Sequence, residues 1–114
     1  MDRHLSALNE QNTLELAATM HFPYFRLVGT SLKVWETADL YFDDFRARAG
    51  ESWAYTKLAS ITPISATANK IHLDIRVNRF DTRDQLIADF KSIWVITKIN
   101  RAWAAQLRSS FAPA

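Results

Sequence analysis

The chain has 114 residues, 48% of them hydrophobic and 23% charged, a composition that excludes a disordered or collagen-like protein. A chain of this length forms one domain and buries roughly two-thirds of the surface its unfolded form exposes. Its formal net charge of +2 comes from 14 basic and 12 acidic residues. They are scattered along the chain, with Arg76 and Arg79 the nearest approach to a cluster, so no nucleic-acid partner is expected.

Cysteine is absent, which removes disulfides, thiolate nucleophiles and thiolate metal sites together. No apolar run reaches membrane-spanning length, and "MDRHLSALNEQ" lacks the unbroken apolar core of a signal peptide. A cytoplasmic protein with no membrane partner is expected.

In chain order, Leu5 and Leu8 mark the inner side of a short first helix. Asn12 followed by Glu15 has the form of a capping box, and Leu14, Leu16, Ala17 and Met20 continue an apolar side, so a second short helix is predicted. Pro23 ends it by biasing Phe22 out of helical geometry. "YFRLVG" then leaves as a strand with Tyr24, Arg26 and Val28 on one face, "GTS" turns the chain, and "LKVWE" returns as the second arm of an edge hairpin.

Thr37 caps a third helix whose apolar side is Leu40, Tyr41, Phe42, Phe45 and Ala49, with Gly50 as its stop. The remainder reads as four strands, Trp53 to about Thr67, Ile71 to Phe80, Leu86 to Ile99 and Ala102 to Phe111. Their short connections predict antiparallel pairing, and Pro63 predicts a bend in the first of them.

Face patterns say more. Ile71, Leu73, Ile75 and Val77 alternate with His72, Asp74, Arg76 and Asn78, giving that strand one buried face. The next strand is apolar on both sides: Phe90, Trp94 and Ile96 on one, Ile93, Val95 and Ile99 on the other. Helices cover one face of a sheet, so the second must meet another subunit or remain an exposed apolar patch, which monomers seldom carry at large size. A homodimer through the outer face of the sheet is expected.

The order helix, helix, "HFPYFRL", hairpin, helix, then long strands with "SIWVITKINRAWAAQLRSSF", resembles the nuclear transport factor 2-like superfamily, and within it the SnoaL-like (polyketide-cyclase-like) group. The resemblance spans residues 1–114 as a single domain. It implies an α+β barrel: a cone-shaped, curved antiparallel sheet with three N-terminal helices packed on its concave face, and a cavity between them.

Candidate pocket residues follow. The aromatics around His21 and Tyr24 either fill the core or line one end of the cone; His21 either caps the preceding helix or exchanges protons in the pocket. Arg79 breaks the apolar run of its face, so it must find a carboxylate, a carbonyl or a bound anion, or else snorkel to water. Phe90 and Trp94 flank the small Ser92, and Ser109 shares a face with Trp103, Leu107 and Phe111. Trp35, Trp53 and Tyr55 complete an aromatic lining.

The carboxylate base that isomerases of this superfamily place in an apolar pocket does not carry over onto Asp74 or Asp89. His72 and Asp74 are two ligands without a third, and with only Gly29 and Gly50 there is no phosphate loop, so no metal or cofactor is expected. The residues point to a binder of a small apolar or aromatic ligand, with isomerase, cyclase or dehydratase chemistry as an addition. The alternative is a non-catalytic dimerisation module with a filled cavity.

Overall fold

The computed structural model describes residues 2–10, 15, 18–49 and 53–111. In chain order they form α1 (Asp2–Asn9), β1 (Met20–Val28), β2 (Ser31–Trp35), α2 (Ala38–Ala49), β3 (Tyr55–Ala66), β4 (Lys70–Phe80), β5 (Leu86–Ile99) and β6 (Ala102–Ser110). Five of the six strands lie within two residues of their expected limits. Thr37 caps α2 as expected, its hydroxyl accepting from Leu40 N–H at 3.3 Å and its carbonyl from Tyr41 N–H at 3.1 Å.

Two helices are seen in full among the described residues; the second expected helix, from Asn12, falls mostly outside them, and its described residues Glu15 and Ala18 are helical. Met20, expected on the apolar side of that helix, instead opens β1. Pro23 lies inside that strand where five residues of β1 oppose two of β6, Met20 pairing with Ala105 and Phe25 with Leu107. Such a bulge is where a strand tolerates a residue that cannot donate to the ladder.

The strand order is β2-β1-β6-β5-β4-β3, and β1 runs parallel to β6 while every other pair is antiparallel. The sheet is therefore mixed, not wholly antiparallel, because the chain reaches β6 from β1 only after crossing the whole sheet. It is also open rather than a barrel. The edge strands β2 and β3 lie at opposite ends of the order, and α1 packs against β3 while α2 packs against β2.

Register shifts in β3, between β4 and β5 and between β5 and β6 bend the sheet, as bulges do. Its concave face carries Tyr24, Trp35, Ile75, Val77, Phe90 and Trp94 against Leu8, Tyr41, Phe42 and Phe45 of the helices. Leu40, expected on the inner side of α2, is exposed.

Candidate functional site

The site is built from α1 downward. The side chain of Asn9 donates to the Thr56 carbonyl at 2.8 Å and accepts from its N–H at 2.7 Å. This pairs the end of α1 with the outward edge of β3, and the Thr56 hydroxyl accepts from Trp53 Nε1 at 3.0 Å. One turn before Leu8 on the same helix face, His4 is then carried over the concave sheet. Its Nδ1 lies 2.9 Å from Thr19 Oγ1, and its ring meets Trp94 edge-on at 5.1 Å.

Burial first, and the Arg108 charge second, push the His4 pKa from 6.5 down to about 3, so the imidazole is neutral at physiological pH.

Two spaces meet at this histidine. A groove of about 370 Å³ opens under the first turn of α1, walled chiefly by Ile71, Leu73, Ile96, Trp103 and Ala105. Beyond His4 lies an inner void of only about 20 Å³, lined among others by Tyr41, Arg79, Phe90, Ser92, Trp94 and Arg108. Among the described residues, His4 alone lines both, and no carboxylate lines either.

The inner void is crowded with hydrogen-bond donors. Arg108 is 5% exposed, with its guanidinium 5.2 Å from the Trp94 ring centroid. Its Nε and Nη2 and Trp94 Nε1 are buried without a hydrogen-bond partner, and the Tyr41 hydroxyl beside the guanidinium interacts with it as an acceptor. Burial opposes the charge on Arg108, while the Tyr41 and Tyr24 hydroxyls beside it favour that charge and leave its pKa raised. Arg26, also buried, is the register neighbour of Arg108 across the β1–β6 pairing, so two guanidiniums share this inner face.

The structure brings six of the expected pocket residues to the concave side. Tyr24, Trp35 and Tyr41 form one aromatic group with ring centroids 5.2 to 6.0 Å apart. Trp53 packs on Phe45 at 5.0 Å. Phe90 and Trp94 line the inner void together with Arg79, whose guanidinium is held between the Phe45 and Phe90 rings at 5.1 and 4.7 Å and does not reach out to water. Tyr24, Trp35 and Trp53 fill the core beside the void without lining it.

Three expected residues lie elsewhere. His21 Nε2–H donates to the carbonyls of Thr97 and Ala102 at 3.1 and 2.9 Å, tying β1 to the β5–β6 hairpin. Tyr55 stacks on Phe80 and donates to Asp84 Oδ1 at 2.6 Å, away from the concave face, because strand alternation begins only at Tyr55 and does not link it to Trp53. Ser109 pairs with Leu27 and Ile93 on the convex face. A register shift between Val95 and Ile96 sets Trp94 opposite Arg108, where an unbroken hairpin would set it opposite Leu107. That single bulge exchanges the faces of β6 and puts Arg108 and Ser110 inside.

His4 and Arg108 were therefore missed from sequence. The first was legible, since His4 and Leu8 share a helix face. The second was not, because the bulge leaves no mark in composition.

No family model matches the chain, and no curated protein matches it. Solved structures do. A protein of unknown function with a cystatin-like fold from Nostoc punctiforme PCC 73102 superposes with a TM-score of 0.76 at 12% identity, over 98% of this chain and 84% of its own. An NTF-2 like protein of unknown function from Shewanella oneidensis MR-1 gives 0.74 at 9% identity, over 96% and 91%. A candidate aromatic ring hydroxylase from Novosphingobium aromaticivorans gives 0.71 at 7% identity, over 100% and 84%. At such identities the likeness is one of fold, and the chain has the nuclear transport factor 2-like fold that its sequence resemblance implied.

Proposed function

We propose that this chain is a small-molecule binding protein of the SnoaL-like kind, taking a small apolar or aromatic ligand into the groove beneath α1. The observation that carries this reading is the groove itself, about 370 Å³ and walled mainly by aliphatic and indole side chains. That is within the usual range for small-ligand pockets, roughly 300–1,000 Å³. The resemblance to a candidate aromatic ring hydroxylase supports a planar ligand of modest size.

The reading is one of binding. No carboxylate base lines the groove among the described residues, and a histidine held near pKa 3 is a weak base at neutral pH.

A thermal-shift screen of aromatic and alicyclic metabolites tests it. At least one compound is expected to raise the melting temperature, since a ligand that prefers the native state must do so. The Leu73→Trp variant, which fills the groove, is expected to abolish the shift. No shift from any compound would leave the alternative, a dimerising module, in possession.

A specific observation favours a homodimer through the convex face, whether or not the groove is used. Two rows of side chains cross the sheet there in register: Val34, Phe25, Leu107 and Val95, then Leu32, Leu27, Ser109 and Ile93. Seven of these eight are apolar, and Phe111, 73% exposed, lies at their margin. A two-fold axis through such a patch makes it self-complementary.

A further inference from the structure

Resting on that ligand-binding reading, we propose that the ligand carries an anionic acceptor of the carboxylate type, which Arg108 receives together with Trp94 at the inner end of the groove.

Arg108 Nε and Nη2 and Trp94 Nε1 are buried donors without a hydrogen-bond partner, the Tyr41 hydroxyl beside the guanidinium is a neutral acceptor for it, and no carboxylate among the described residues lines the space. Leaving several buried donors unmet, one of them charged, is costly, so an acceptor from outside is expected. Water meets the need incompletely. A void of 20 Å³ holds about one water molecule, which accepts about two hydrogen bonds.

A carboxylate oxygen is about the size of that water, brings a negative charge and only accepts. Size then divides the ligand in two. Room for about one water admits one carboxylate oxygen beyond His4, and the apolar body stays in the outer groove against Leu73, Ile96 and Trp103. His4, held by Thr19 and by the edge of Trp94, stands where the two parts join.

Calorimetric titration of matched pairs tests this: phenylacetate, 3-phenylpropionate and 1-naphthylacetate, each against its primary amide at pH 7.5. At least one acid is expected to bind at least about tenfold tighter than its amide, the scale of one charge-assisted hydrogen-bond pair. Arg108→Met is expected to bring acid and amide within about twofold, Arg108→Lys to keep part of the preference, and Arg83→Met, on an exposed loop, to change nothing.

Amides that bind the wild-type protein as tightly as their acids would overturn the anionic assignment while leaving the groove reading intact. A folded Arg108→Met protein that still prefers acids would overturn the role of Arg108. Binding of no compound from either set would remove the groove reading and this inference with it. The comparison of acid and amide on the wild-type protein decides the matter even where the Arg108 variants do not fold.

Discussion

Asn9 and Thr56, 47 residues apart, pair as two strand residues would, the side-chain amide of one taking the place of a backbone and satisfying both the N–H and the carbonyl of the other. Thr56 lies on an edge strand, whose outward polar groups are otherwise a template for unwanted pairing. The same contact fixes α1, and α1 carries His4. Position of the groove roof therefore depends on one amide.

Asn9→Leu removes both hydrogen bonds and leaves two backbone groups facing an apolar side chain. A loss of about 2–4 kcal/mol is expected, on the scale of two unmet buried groups. Urea unfolding followed by tryptophan fluorescence measures it. An unchanged midpoint would mean that α1 is anchored by its apolar face alone.

Acid should destabilise the protein through His4. Its folded pKa, about 3, lies below the ordinary 6.5, so the unfolded chain binds a proton that the native state refuses. The stabilisation is whole above pH 6.5 and is lost as pH falls toward 3, reaching on the order of 3 kcal/mol by pH 4. Carboxylates titrate in the same window, Asp89 among them, whose pKa the Arg76 hydrogen bond lowers. The difference between wild type and His4→Phe isolates the histidine. His4→Phe should lose less stability between pH 7 and pH 4, and equal losses in the two proteins would show that His4 takes up no proton on unfolding.

Ser109 distinguishes the two faces of the sheet. It sits among Leu27 and Ile93 on the convex side, so Ser109→Glu places a charge in the middle of the expected dimer interface. Sedimentation should then report monomer where the wild type sediments as a dimer, with ligand binding retained. A stable dimer interface needs about 800 Å² from each partner, which the two apolar rows are positioned to supply. A wild type that is monomeric at micromolar concentration would contradict the dimer.

Much of this fold was readable from alternation and punctuation. The limits of β4 follow from its period-two pattern, those of β5 from its apolar run and from the polar "DTRD" before it, and the β1–β2 turn follows from Gly29, whose φ of 57° suits a residue without a side chain. Placing Arg79 inside needed only the parity of β4, and placing Phe90 and Trp94 inside only that of β5.

What escaped was whatever depends on contacts distant in sequence. The bulge between Val95 and Ile96 inverted the faces of β6, hiding Arg108 and misplacing Ser109. Pairing of β1 with β6 across some eighty residues made the sheet mixed. His21, conspicuous in the sequence, proved to be a tie between elements, while the plainer His4 took the site because Asn9 steers its helix there.

The central claim is where a ligand goes, and amide chemical shifts read that directly. In a titration of the isotopically labelled protein with 1-naphthylacetate, the largest changes should gather at His4, Ile71, Leu73, Ile96 and Ala105 around the groove and at Arg108 beyond it. Changes centred instead on Ile93, Ser109 and Phe111, or no changes at all, would contradict the account.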